Sequence, residues 1–348
     1  MKNLLVTTGL KDTLGNNEKI IFLGQWCITL NNEKYLKNRD FIISDYHWRD
    51  KKKFYKDYKY LEKINEILID KLGKKLNEIH KINFDQRQWR LVLGTFICHF
   101  IGLIWDRYES LRLTLDKYNI DKIINPISDE KFLISEDLDD FLKLIRTHNL
   151  NALIIKDIIN IEFKSRINEC HNCEIKTKFL NSSIKKNINA KIILAQIYDK
   201  FFRFFTKKNK IVFFETYLDL FSLTKLNFKL IQIPRFHYEF NKKFSSNKNL
   251  SIRKNIQLNI NPQNSYEKIL EKLVFKYLPS SYLENFQAIK DYVNNLKIKP
   301  KIIQSAIGQH HNDVFNIWSA LSIENGAKLF FSQHGGSFRM KVTGDFDR

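Results

Sequence analysis

Apolar positions recur along this chain with two different periods, and the switches between them mark out its elements. Residues 3–8 (NLLVTT) form a short apolar run ending in a polar turn, and 20–27 (IIFLGQWC) form a second; both read as buried strands separated by a Gly-Asn-Asn loop. From 54 to 80 the period lengthens. Tyr58, Leu61, Ile64, Ile67, Leu68, Leu72, Leu76 and Ile79 fall at helical spacing with lysines opposite, predicting one long amphipathic helix weakened near Gly73. Residues 88–109 are apolar nearly all round. Their length suits a membrane span, but Trp89, Arg90, His99, Trp105, Asp106 and Arg107 crowd the ends and middle, so a buried helix is expected. A further helix is expected over 135–146, its acidic first turn favoured by the helix dipole. Polar, irregular sequence follows over 164–190, read as a surface loop or helical hairpin.

After Lys191 the elements alternate: helix 192–205, strand 210–215, helix 216–226, strand 228–234, a polar loop over 241–264, and two helices near 265–278 and 280–296. The last unit is the clearest. Strand 301–306, helix 312–326 with Asn312 as cap and Gly326 as stop, and strand 328–333 make a right-handed crossover in a parallel sheet. The predicted class is α/β: a Rossmann-like parallel sheet carrying a large helical segment over 53–118. Neither internal repeats nor a low-complexity linker divides residues 1–348.

At 348 residues and 43% apolar composition, the chain can bury a sizeable core. The N-terminal apolar stretch is too short for a secretion signal, and a cytoplasmic protein is expected. A net charge of +20 favours phosphates, nucleotides, nucleic acid or an anionic membrane face as partners. Its spread along a Lys-, Asn- and Ile-rich chain is equally what AT-rich coding would give. Four cysteines are too few for a disulfide scaffold, so reduced thiols are expected. Cys170-His171-Asn172-Cys173 has the spacing of half a zinc site, but no second pair of ligands completes it in sequence, and no metal is expected.

In open parallel sheets, ligands bind beyond the carboxyl ends of the strands. Four segments qualify here: Thr7-Thr8-Gly9, Gly24-Gln25-Trp26, 305–310 ending at His310, and Gln333-His334-Gly335-Gly336. His334 stands out, because an imidazole titrates near neutrality and the two glycines let backbone approach a substrate; a histidine that merely caps the sheet is the plainer alternative. His310-His311 suits capping or ligand contact better than metal binding. No P-loop, Gly-x-Gly-x-x-Gly fingerprint or Gly-x-Ser-x-Gly elbow is present, which removes the sequence support for kinase, dehydrogenase and α/β-hydrolase chemistry.

Several segments together carry a resemblance. FLGQWC (22–27), DYHWRDKKKFYKDYKYL (45–61), LNEIHKINFDQRQWRLVLG (76–94), the Trp105-Asp106-Arg107 step and HNDVFNIWSALSIENGAKLFFSQHGG (311–336) resemble a family of transferases encoded in O-antigen and other surface-polysaccharide gene clusters. The resemblance implies a glycosyltransferase that uses a nucleotide sugar, with no further cofactor, and an acceptor-side domain of the two-domain GT-B kind. Gln-His-Gly at a strand end is also similar to the Gln-x-x-His-Gly element of enzymes that polymerise glycerol phosphate. By that likeness His334 removes the acceptor's proton. Gln333, Gly335, Gly336, Thr8, Gly9, Gln25, Trp26, His47, Arg87, Arg90 and His310 are the candidate substrate-binding residues, taken from the strand-end loops and the segments that carry the family resemblance. The family usually has Glu where this chain has Gln25. Its members also continue well past the Gln-His-Gly-Gly element, so the expectation is a chain that lacks the second, nucleotide-binding half.

Glycosyl transfer to a glycan or lipid-linked acceptor, with peripheral contact to an anionic membrane, is thus the leading expectation. A basic nucleic-acid-binding protein is the alternative, distinguished by binding that weakens steeply with salt. Aromatics among the lysines of RDKKKFYKDYKYL could stack bases, but read better as the inward face of a helix. Nucleic acid is the disfavoured partner.

Overall fold

A computed structural model describes residues 2–127, 129–174, 190–236 and 238–332. Two parallel sheets organise them. The first has strands β1 (Asn3–Val6), β2 (Lys19–Phe22), β3 (Phe41–Ile43), β4 (Ile120–Ile127) and β5 (Ile167–Glu174) in the order β3-β2-β1-β4-β5. Leu5 pairs with Ile21 on one side and Ile123 on the other. This is the Rossmann-like arrangement expected, with the chain reversing direction across the sheet between β1 and β4. Leu4, Leu5, Ile20, Ile21 and Ile123 are all but fully buried, as strands covered on both faces must be.

The β1–β2 and β2–β3 connections contain only short 3-10 turns and the four-residue helix α1 (Leu30–Glu33). The β3–β4 connection carries the large helical insertion, an antiparallel hairpin of α2 (Lys51–His80) and α3 (Gln86–Lys117). Asp50 caps α2 by accepting from Lys52 N at 2.8 Å; a reciprocal Asp85/Gln88 capping box starts α3, both bonds 2.8 Å. Gly73, which sequence marks as a weak point, packs directly against Trp89 of α3. A Cβ there would sit 2.6 Å from the Trp89 ring, so the glycine is required by packing rather than by a break in α2.

Helix α3 is long and apolar enough to cross a membrane, and half of its most apolar stretch is buried. Its apolar surface packs on protein: Tyr266 donates to Ile101 O at 2.8 Å, and Gln88 Nε2 to Ala320 O at 2.9 Å. After β4 come α4 (Leu138–Leu144) and α5 (His148–Ile158).

The second sheet follows α6 (Ala190–Thr206) and has order β6-β7-β8, with β6 (Ile211–Phe214), β7 (Ile302–Ser305) and β8 (Lys328–Phe331) all parallel. Between β6 and β7 lie α7 (Leu220–Lys229), α8 (Leu250–Asn255), α9 (Ser265–Tyr277) and α10 (Phe286–Asn295); α11 (Asp313–Glu324) joins β7 to β8. Asn312 caps α11 through Phe315 N at 2.9 Å, and Gly326 at φ +88° ends it, as expected.

Several elements differ from the sequence reading. Residues 228–234 are not a strand: α7 runs to Lys229 and closes in a turn with Ile231 at φ +55°. The polar stretch over 164–190 contains edge strand β5, in which Cys170 pairs with Ile123 and Cys173 with Pro126. Residues three apart on a strand point to opposite faces, so the half zinc site is not formed. None of the four cysteines forms a disulfide among the described residues. Strands β3 and β4 carried no clear signal, one being three residues long and the other containing Asp121, Lys122, Asn125 and Pro126.

Candidate functional site

The carboxyl end of the first sheet gathers polar side chains from five separate segments. Gly9, just beyond β1, donates its amide to His148 Nδ1 at 3.2 Å, at the first residue of α5. Nδ1 therefore carries the lone pair and Nε2 the proton. Burial, and then the charge of Arg107, lower the His148 pKa, which favours this neutral form. The approach depends on glycine: a Cβ at position 9 would lie 2.5 Å from Thr29 Cγ2 and 2.8 Å from the imidazole. Thr29 and Asn32, at the start of α1, both bond Gly9 O, and Asn32 also bonds Cys27 O at 2.8 Å, locking the β1 and β2 loops together.

Arg107 of α3 is the centre of this group. Its guanidinium lies 4.4 Å from the Trp26 ring centroid, its Nε donates to Asn151 Oδ1 of α5 at 2.9 Å, and its Nη1 pairs with Asp106. The Trp26 indole N–H is buried with no hydrogen-bond partner among the described residues. An orphan donor beside a stacked cation at a sheet's carboxyl edge is what an anionic or hydroxyl-bearing ligand requires. Asp106 also accepts from His47 Nε2 at 3.1 Å; a carboxylate only accepts, so this ring nitrogen carries the proton. Beside it, burial and Asp106 push the Tyr46 phenol up to about 12. Burial likewise pushes the Cys27 thiol up to about 12, which leaves it no nucleophilic thiolate at neutral pH.

Next to this group, His47, Asp57 and Glu109 are all buried, with atoms capable of holding a metal ion within 4.8 Å of one another. Lys53 already pairs with both carboxylates, at 3.0 Å from Glu109, while Trp48 and Trp105 donate to Asp57 at 3.0 and 3.2 Å. Elsewhere, an open cavity of about 690 Å³ is lined by Lys11, Asp12, Glu18, Arg39, Lys122 and His171 among others. Three of its charged groups are already engaged: Lys122 holds Glu18 at 2.7 Å and lowers its carboxyl to about 2, and Arg39 donates to three carbonyls. The Arg107 group, with its orphan indole, is the better candidate.

The second sheet has a corresponding edge. Beyond β7, Gly308 is needed because a Cβ would meet the Phe214 ring at 2.6 Å; the 3-10 turn Gly308–His310 brings His310 within 3.1 Å of Gln309 Nε2. His311 pairs with Glu215, the residue after β6, at 3.3 Å, and that bond raises its pKa. The two edges are joined. Asp313, the first residue of α11, accepts from Leu138 N, the first residue of α4, at 2.8 Å, and from Ser281 Oγ and Tyr282 OH at 2.5 and 2.6 Å. One buried carboxyl group thus sits between the first residues of two helices and accepts from both sides. The loops leaving β4 and β7 meet at that point.

Of the residues singled out from sequence, Gly9, Trp26 and His47 come together around Arg107. Thr8 is fully buried and directed at Thr13 and Leu10 N, a loop-holding role rather than ligand contact. Gln25 is exposed at the start of the turn beside Trp26. Arg87 and Arg90 do not join them: at 1.5 Å per residue, Arg90 lies roughly 25 Å from Arg107 along α3, and its guanidinium is clamped by Glu66 at 2.6 and 2.5 Å. His310 belongs to the second sheet. Gln333, His334, Gly335 and Gly336 lie outside the described residues. Sequence reasoning missed His148 and Asn151 entirely, because α5 carried no motif; the signal for Arg107 was the Trp-Asp-Arg step.

The profile of the LIC12162 family transferases matches residues 3–344, and the chain belongs to that family. No curated protein matches it, and no solved structure does.

Proposed function

We propose that this transferase moves a glycosyl group from a nucleotide-activated sugar to a hydroxyl of a glycan or lipid-linked acceptor in surface-polysaccharide synthesis. The family supplies the class of reaction. The observation that supports the reading is the junction at Asp313, where the segment leading from β4 into α4 is joined to the segment leading from β7 into α11. In this reading the first sheet serves the acceptor: Arg107, the Trp26 N–H and the neutral His148 orient its oxygens. His334, two residues past the last described position of the β8 segment, is the base. The acceptor oxygen attacks the anomeric carbon, the hydroxyl proton passes to the imidazole, and the bond from the anomeric carbon to the phosphate oxygen breaks with its electrons leaving on the nucleoside diphosphate. No cofactor is required.

The test is release of nucleoside diphosphate from a panel of nucleotide sugars, with lipid-linked glycan acceptors present. His334→Ala is expected to lower the rate by about 10²–10⁴-fold. Arg107→Ala is expected to raise the KM for acceptor more than that for donor. Equal turnover in wild type and His334→Ala removes the histidine from the mechanism; no turnover of any nucleotide sugar when the chain is joined to a nucleotide-binding partner half removes glycosyl transfer itself.

A further inference from the structure

Helix α6 is built inside out. Its carboxylate, Asp199, is 6% exposed and turned inward, where both oxygens accept from Phe236 N at 3.2 Å. Tyr198 and Phe202 flank that contact, and the Tyr198 ring lies 5.3 Å from Phe236. The opposite face is apolar and open: Leu194 is 65% exposed, Ile197 60%, Phe201 78%, Phe204 68% and Phe205 54%. Spacings of three, four and three residues from 194 to 204 put these on one continuous stripe. The stripe extends beyond the helix. Asn209 Nδ2 donates to Ile233 O at 2.7 Å, which brings the turn holding Ile231, 96% exposed, beside the carboxyl end of α6. A contiguous apolar face of this kind on a folded protein marks an interaction surface.

Its surroundings identify the partner. Residues 190–232 contain eight basic residues and three acidic ones, and of the acids only Asp219 is exposed. Lys200, Lys208, Lys210, Lys225 and Lys229 are exposed, and Lys208 Nζ lies 5.0 Å from the Phe204 ring centroid, its stem running along the aromatic while its charge stays at the rim. Contact with a second copy of this chain would set the same lysines against each other, because a two-fold interface apposes like with like. An anionic bilayer answers both features: the stripe enters the boundary between headgroups and acyl chains, and the lysines meet lipid phosphates. We propose that α6 and the turn at Ile231 form a membrane-docking surface that seats the protein on anionic phospholipid. This assigns the peripheral contact expected from net charge to specific residues. It does not depend on the chemistry of transfer, so its failure would leave the glycosyl reading untouched.

Flotation of the full chain with vesicles tests it. Wild type should float with vesicles of equal parts phosphatidylcholine and phosphatidylglycerol and stay behind with phosphatidylcholine alone. The Phe201→Ser/Phe204→Ser double variant should lose about tenfold or more in partition, and Lys200→Ser/Lys208→Ser should lose partition that added salt removes from wild type. Both pairs are exposed, so thermal melts should match wild type and a loss of flotation cannot be assigned to unfolding. Equal flotation of wild type and the phenylalanine variant would overturn the proposal. So would failure of wild type to float, including the case where light scattering shows a dimer in lipid-free buffer that the phenylalanine variant breaks.

Discussion

Asp313 allows the junction between the two sheets to be tested by pH. Its carboxyl is fully buried, and burial, the largest influence, pushes it up to about 6 against an ordinary 3.8, even though Ser281, Tyr282 and Leu138 N all donate to it. The folded state therefore holds this proton more tightly than the unfolded chain. The stability it contributes is complete below about pH 4 and is lost as pH rises through about 6. A shift of about two units at 1.36 kcal/mol each amounts to about 3 kcal/mol, of which about 2 kcal/mol falls between pH 4.5 and 7.5. Asp313→Asn keeps the shape and abolishes the titration, and the two hydroxyls can rotate to accept from the amide. Urea unfolding of both proteins across that range, followed by tryptophan fluorescence, gives a difference in which every other ionising group cancels. Wild type should gain about 2 kcal/mol relative to Asp313→Asn on going from pH 7.5 to 4.5. A difference that stays flat, or that changes in the opposite sense, would refute the assignment of a protonated carboxyl to the place where α4 and α11 meet.

Two further substitutions probe the site and its support. Gly9→Ala should cost about 1–3 kcal/mol and displace His148, so that the imidazole titration followed by proton NMR moves up toward its ordinary value; an unchanged melt and an unchanged titration would contradict the close approach seen at Gly9. Arg253, 1% exposed, donates its Nε to Glu284 at 2.7 Å and its Nη1 to the carbonyls of Phe275 and Leu278, tying α8 to the end of α9; Arg253→Ala should lower the unfolding free energy by about 3–5 kcal/mol, and a loss under about 1 kcal/mol in urea unfolding would show that the pair is not needed.

The sequence by itself determined those elements whose own residues carry the signal. Helices α2 and α3 were legible because their apolar positions repeat over many turns, and β7, α11 and β8 because Asn312 and Gly326 punctuate a short unit where cap and stop are local chemistry. Gly9 and Trp26 were legible as candidates because strand-end loops are recognisable from the runs before them. Tertiary structure alone decided what those residues face. Residues 228–234 have the composition of a strand, yet Asn227 and Gln232 bond each other and close a helix instead. Arg107 and Arg90 look alike in sequence; Glu66 of the neighbouring helix neutralises one, while Trp26, Asn151 and Asp106 from three segments hold the other at the sheet edge. His148, 139 positions from the amide it accepts, could not be paired with Gly9 by any local pattern. Periodicity and capping act within a few residues, whereas burial and pKa depend on atoms brought together from the whole chain. For this protein the segments could be read from the string, but the site exists only once they are folded against one another.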